Sequence, residues 1–313
     1  MAIDFKSPKL SDRLLHAATQ VSSLAWHVAP YLFPETLEVD DNRALWIDQT
    51  PDYRPGAALR ETISADLAII GGGFTGVSTA YHFSRRYPEK RVVLLEAKTL
   101  ANGASGRNGG MMLNWVTGVT DHSPEMTTRI YQTTSAGVKL IQDIIERHKL
   151  NVGYRTDGTI TAYTNAQRAE EAHKQTEKHR SWGIPEAFFD SAALRQKLNL
   201  HGTHGAVLDP HSGQINGAQL VRGLRPVLLE QGVQIYENTP VTKIREGATI
   251  TLTTPQGEVR AKAIVLATNG YTGKLGYFHD ALFPLHSHLR YRPLTPEQRE
   301  RLSWRFRRIL RRP

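Results

Sequence analysis

From Ala65 the chain reads ADLAIIGGG: one acid among four apolar residues and an alanine, then three glycines. An apolar run that ends in glycine predicts a strand buried on both faces, of the kind found in parallel sheets. The segment FTGVSTAYHFSRRY follows with helical spacing, and Pro88 stands just beyond it. RVVLLE, at 91–96, is a second β-branched strand. Strand, helix and strand together take about 31 residues, the size of a βαβ unit.

The middle of the chain has a different rhythm. Residues 125–149 predict a long helix. YRTDGTITAYT (154–164) alternates and carries Asp157-Gly158, so it predicts a hairpin. Residues 165–182 predict a charged helix facing solvent. This mixture suggests an inserted antiparallel unit. Parallel character returns with a helix over 216–232 ending at Gly232, then the strand VQIYEN. Inside that helix Pro226 costs on the order of 3 kcal/mol and predicts a kink or two pieces. PVTKI, TITLTT and EVRAKAIVLATNG form a small meander, with a turn at Gln256-Gly257. Ahead of all this, Leu10, Leu14, Val21 and Leu24 fall near helical spacing and predict a short amphipathic helix docked on the body. Three prolines in 34–64 make that stretch an extended lead-in, with Trp46 as its anchor.

Composition narrows the classes. The 313 residues suffice for two domains, and there is no cysteine. That removes disulfides, thiolate zinc sites and a cysteine nucleophile, and suits a reducing compartment, so a cytoplasmic location is expected. The net charge of +9 resembles a nucleic-acid signal until it is mapped. Nine arginines against two acids lie between Arg290 and Pro313, so the body is nearly balanced. No nucleic-acid partner is expected. No signal peptide is visible, and the apolar stretch 14–33 is broken by His16, Gln20, Ser22, Ser23 and His27, too polar to span a membrane.

Gly71, Gly73 and Gly76 make GxGxxG between a strand and a helix. The first permits a tight turn, the second admits a pyrophosphate to the backbone, and the third lets helix and strand pack. The helix N-terminus adds free N–H groups and a positive dipole end. Glu96 ends the second strand about 20 residues past Gly76, where a carboxylate accepts from ribose hydroxyls and repels a 2′-phosphate. The nucleotide is therefore of the NAD or FAD type. GASGRNGG (103–110) then leaves the same sheet edge and can fold back over the cofactor. Its glycines give close backbone approach. Arg107 can pair with a phosphate or sit near the reactive ring, and Asn108 offers a donor and an acceptor to a ring edge. Elsewhere His201, His204, Asp209 and His211 lie in a glycine-rich stretch with no regular element to fix them, and no metal site is expected. His286 and His288 share one strand face, and exposed or satisfied histidines fit them best. No GxSxG elbow supports a serine triad.

ADLAIIGGGFTGVSTAYHF, VVLLEAKTLANGASGRNGG, TPVTKI and AIVLATNGYT together resemble the FAD-dependent amine and amino-acid oxidoreductases related to glycine oxidase and D-amino-acid oxidase. The GASGRNGG version looks most like the gamma-glutamylputrescine oxidase branch. The resemblance implies an α/β fold: a Rossmann-like FAD-binding domain with a parallel sheet and an inserted antiparallel α+β substrate domain, incomplete at the C-terminus. The expected divisions are 1–60 for a helix and lead-in, 61–120 with 205–275 for the FAD-binding domain, 121–204 with 276–300 for the substrate domain, and 301–313 for a basic tail. It implies that Gly71, Gly73, Phe74, Thr75 and Gly76 face the ADP pyrophosphate and Glu96 the ribose. Ala104, Ser105, Arg107, Asn108, Gly109 and Gly110 would line the route to the flavin. Val241 would contact adenine through its backbone, and Ala267, Thr268 and Gly270 would return to the cofactor. The family's reaction passes a hydride from the amine-bearing carbon to flavin N5, after which the imine hydrolyses and oxygen reoxidises the flavin. The cofactor carries that chemistry, so no catalytic base is named. Relatives usually continue for roughly a hundred residues more, as the resemblance implies, so a truncated chain is expected. A non-catalytic remnant keeping part of the ADP site, and an NAD-dependent dehydrogenase, are the alternatives.

Overall fold

The computed structural model describes residues 44–116, 119–197, 202–278, 280–282 and 295–301. The expected N-terminal helix, His201, His286, His288 and the basic tail beyond Arg301 lie outside these residues.

A one-turn helix α1 (Leu45–Asp48) precedes β1 (Thr62–Ile70), α2 (Phe74–Arg86) and β2 (Val92–Leu95). Then come a 3₁₀ turn at Ala104–Gly106, β3 (Met111–Met112) and α3 (Pro124–Arg147). The middle holds β4 (Thr159–Tyr163), α4 (Ala166–Ser181), β5 (Ala187–Asp190), α5 (Ser191–Lys197), β6 (Gly205–Asp209) and β7 (Gly213–Gln214). The chain returns through α6 (Gly217–Glu230), β8 (Gln234–Tyr236), β9 (Lys243–Arg245), β10 (Ile250–Thr253) and β11 (Glu258–Leu266). A 3₁₀ segment at Asn269–Leu275 and α7 (Pro296–Arg301) complete the described elements.

The main sheet has the order β8-β2-β1-β11-β10-β9. Its first four strands are parallel, and β10 and β9 continue it antiparallel. The apolar runs in β1 and β2 have the predicted cause, burial on both faces. Leu67, Ile69, Val92 and Leu94 pack with Val77, Ala80 and Tyr81 of α2 and Val221, Leu224 and Leu228 of α6. Ala68, Ile70, Val93 and Leu95 fill the opposite face with Leu59, Leu252 and Val259. The expected meander is present as β9, β10 and β11, and β11 also joins β1 in parallel from Glu258 to Leu266. Despite Pro226, α6 is one helix. Val221, Leu224 and Leu228 are all buried along it, and that burial offsets the lost hydrogen bond.

The antiparallel sheet has the order β4-β6-β5. It corrects the expected hairpin at 154–164. Arg155 exchanges both backbone bonds with Gln214, while Thr159–Tyr163 pairs with Gly205–Asp209. Gly158, with φ of +83°, steers the chain from one partner to the next and does not reverse it. Alternation records which face is buried, not which strand is beside it. Hydrogen bonding also places Gly205–Asp209 in this antiparallel sheet, so the division expected at 205 cuts through paired strands.

Candidate cofactor site

The site lies where β1, β2, β8 and β11 end. The Gly71 N–H donates to Leu95 O at 2.8 Å, which ties the turn to the second strand. Gly71 has φ of +110°, and a Cβ there would stand 2.5 Å from Ala267 O, so only glycine lets β11 close on the turn. A Cβ on Gly76 would collide with the Gly71 carbonyl. Gly73 is the N-cap of α2 and has no side chain to cap it. The first turn of α2 thus presents backbone N–H groups at a positive dipole end. Phe74 N donates to Ser105 Oγ at 2.9 Å, which brings the second glycine-rich loop against the first. Thr75 is exposed beside it.

Glu96 is bound into the same turn. Its Oε2 accepts from Gly72 N at 2.7 Å and its Oε1 from Lys98 N at 2.9 Å. Burial raises this carboxyl above the ordinary range, the two N–H bonds oppose that rise, and the neighbouring Glu237 charge adds to it. A carboxylate has about four lone-pair sites, so capacity for a diol remains after both backbone bonds.

The loop 103–110 is tied by bonds that its composition conceals. Ala104–Gly106 form the 3₁₀ turn. Asn108 donates to Ala104 O at 3.2 Å and Ser105 O at 2.9 Å, and its Oδ1 accepts from Gly110 N at 2.8 Å. Its amide closes the loop on itself at both ends. Arg107 Nε donates to Asn102 O at 2.8 Å, and its side chain is exposed, as is Gly109. Gly110, with φ of +71°, is buried where a Cβ would stand 2.6 Å from Ile215 O. The Trp46 ring sits 2.7 Å from the same point, and Trp46 Nε1 donates to Asn108 O at 2.6 Å. The expected anchoring by Trp46 is therefore an anchoring of this loop.

The remaining expected residues fall at two places. Ala267 N donates to Ile70 O at 2.8 Å, and Thr268 shares a 2.8 Å hydroxyl bond with Thr272, which opens the 3₁₀ segment containing Gly270. Val241 is half-buried against the sheet face that holds Ile70 and Leu95. Asp209 serves packing: its Oδ1 accepts from the Tyr131 hydroxyl and from His211 N, both at 3.0 Å, and its Oδ2 from Ser212 Oγ. Glu237, Leu100 and Arg222 also converge on the turn, and sequence reasoning passed over all three. Only the position of Glu237 just past a parallel strand, matching that of Glu96, was a signal for it.

The cradle fits FAD on three counts of its own. Gly71, Gly76 and Gly110 have no room for a Cβ, the N-cap of the helix is a glycine with no side chain over the turn, and a half-buried carboxylate is bonded into the same turn. The comparisons agree: the chain belongs to the FAD dependent oxidoreductase (DAO) family, whose model matches residues 66–312. FAD is the cofactor of this family. Gamma-glutamylputrescine oxidoreductase of Escherichia coli is 31% identical over 227 residues, covering 71% of this chain and 53% of that protein. The crystal structure of glycine oxidase from Geobacillus kaustophilus matches with a TM-score of 0.59 and 26% identity, over 68% of this chain and 57% of that one. The L-amino acid deaminase from Proteus myxofaciens, solved with anthranilate, shares the fold at a TM-score of 0.61 and 23% identity, over 78% of this chain and 52% of that one. The chain spans about half the length of the curated relatives it matches. Among the described residues no helix is long and apolar enough to cross a membrane.

Proposed function

We propose that this chain binds FAD through the two glycine-rich loops and takes part in oxidising a small amine or amino acid. The observation that carries the reading is the junction of the loops: Phe74 N on Ser105 Oγ, with Glu96 on Gly72 N behind it. Turn, acid and second loop form one hydrogen-bonded unit. In this reading the N–H groups of α2's first turn beyond Phe74 hold the pyrophosphate, Glu96 accepts from the ribose diol, and residues 104–110 continue toward the ring. FAD, when bound, supplies the hydride acceptor for the carbon bearing the amine, and oxygen is the terminal acceptor in the simplest scheme. The protein's own contribution is placement. The Asn108 amide and the Trp46 N–H hold the second loop in one conformation, so little ordering is left for binding to provide. The exposed Arg107 guanidinium puts positive charge on this loop, where a phosphate or a reduced ring would meet it. The hydrogen-bonded unit lies at the nucleotide end of the cradle, and a second reading is therefore an ADP-site chain without turnover.

Purification of the full chain distinguishes these. Bound flavin with amine-dependent peroxide release supports the first reading. Bound flavin with no turnover across a panel of amines and amino acids supports the second. A colourless chain that takes up neither FAD nor ADP rejects both.

A further inference from the structure

The family match begins at residue 66, yet the segment ahead of it is wired into the cofactor turn. Glu237, 0% exposed, is the junction. Its Oε1 accepts from Leu100 N at 2.7 Å and the Tyr53 hydroxyl at 2.8 Å, and its Oε2 from Gly56 N at 2.5 Å. Arg225 Nε lies 3.5 Å from Oε2, close enough for ion pairing but outside hydrogen-bond geometry. Arg222 works from the other side. Its Nε donates to Leu100 O at 3.1 Å, one terminal nitrogen to Thr99 Oγ at 3.2 Å, the other to Thr50 Oγ, and its guanidinium lies 4.3 Å from the Tyr53 ring centre. Leu100 is thereby held at both its amide and its carbonyl. It is fully buried, and its side chain fills the space where a Cβ on Gly72 would stand. The next residue, Ala101, donates to Gly72 O at 3.0 Å, and Gly72 N donates to Glu96.

We propose that Glu237, with Arg222 and the lead-in residues 50–56, is a positioning device that sets the phosphate turn and Glu96 for nucleotide binding. The chain of contact is continuous: lead-in to Glu237 and Arg222, these to Leu100, Leu100 to Gly72, and Gly72 to Glu96. A fully buried carboxylate is costly unless donors surround it, and here they come from three separate stretches of chain. Glu237→Gln keeps the shape but sets an NH₂ group at one oxygen position. Each of those positions accepts from a backbone N–H, so one donor is left unpaired.

This inference rests on the reading of the cradle as an FAD site, and the test separates the two. FAD affinity is measured by titration of the cofactor-free full chain, and amide exchange over 97–101 is followed without cofactor. Glu237→Gln is expected to weaken FAD binding by about tenfold and to speed exchange at Leu100 and Ala101. Tyr53→Phe, which removes one donor and keeps the ring beneath Arg222, is expected to do the same to a smaller degree, and serves if the glutamine variant does not fold. Leu194→Ala, in the separate apolar cluster with Ala206, is the stability control: it lowers the melting temperature and leaves FAD affinity unchanged. Unaltered exchange over 97–101 in both Glu237→Gln and Tyr53→Phe overturns the proposal. So does a loss of FAD affinity in Leu194→Ala equal to theirs. Failure of the unsubstituted chain to bind FAD overturns the cofactor reading alone, and amide exchange still decides for or against the brace.

Discussion

Glu96 and Glu237 sit just past the carboxyl ends of β2 and β8, whereas Asp66 lies toward the opposite end of β1, before its pairing with β2 begins at Leu67. At the candidate-site end Glu96 is held by the backbone N–H groups of Gly72 and Lys98, and Glu237 by those of Gly56 and Leu100 together with the Tyr53 hydroxyl and the Arg225 charge. At the other end Asp66 faces Lys262 Nζ at 2.8 Å and accepts from Arg91 N at 2.9 Å. The Lys262 and Arg91 bonds lower Asp66 from the ordinary 3.8 to about 2. Burial raises Glu96 instead. Backbone donors orient a carboxylate without neutralising it. An acid fixed in that way keeps a demand for further donors, and a ligand's hydroxyls can meet it.

The largest effect on this contrast comes from Glu96. Glu96→Gln replaces one acceptor oxygen with a donor facing Gly72 N or Lys98 N, and is expected to cost about 1–3 kcal/mol of FAD affinity. The unsubstituted chain carries a pH signature of opposite signs. The folded carboxyl has a raised pKa, so its ionised form is penalised by folding. Cofactor-free stability therefore rises as pH falls through that raised value toward the ordinary carboxylate range. FAD affinity falls over the same interval, because protonation removes acceptor capacity. Melting curves and FAD titrations between neutral pH and the carboxylate range check both slopes. Glu96→Gln should flatten both, and slopes that persist in the variant would assign them to another group.

Trp46 sharpens the comparison at the second loop. Trp46→Phe keeps an aromatic ring against Gly110 and removes the 2.6 Å bond to Asn108 O. A net hydrogen bond is worth about 1 kcal/mol, so FAD should dissociate several-fold faster, with a smaller change in association. Stopped-flow dissociation into excess apo-flavodoxin or another flavin acceptor reads this directly. An unchanged rate would mean that Asn108 alone holds the loop.

How legible these parts were depended on how local their causes are. β1, α2 and β2 were readable in kind and order, with β1 beginning at Thr62 rather than Ala65, because a buried parallel strand, a glycine turn and Pro88 each act within a few positions. Glu96 was readable because its distance from the turn is fixed by one βαβ unit. The Asp157-Gly158 turn was misread because a turn signal names a change of direction and not the strand that follows it. Glu237 was hidden for a different reason. Its donors Leu100, Gly56 and Tyr53 lie 137, 181 and 184 residues away, and no local pattern encodes such a junction. Asn108 was read as facing a ligand because its donor and acceptor are equally good for either use. Only the folded loop shows both of them bonded to its own backbone.

The smallest effect is expected at Asp66, and it completes the contrast. Its carboxyl is bonded to Lys262 and to the Arg91 amide, groups that are exposed and already satisfied by the protein. Its lowered pKa means that its contribution to stability is fully present above the ordinary value of 3.8 and is lost as pH falls through about 2. Solvent and salt screen a pair of this kind, so the contribution is small at neutral pH. Asp66→Asn should shift the acid-unfolding midpoint slightly upward in pH and leave FAD affinity unaltered. Acid titration of the folded chain at low and moderate salt, beside an FAD titration at neutral pH, makes the measurement. A loss of FAD affinity in Asp66→Asn would show that the two ends of the sheet are coupled through β1, and the division of labour between orienting and neutralising partners would then fail.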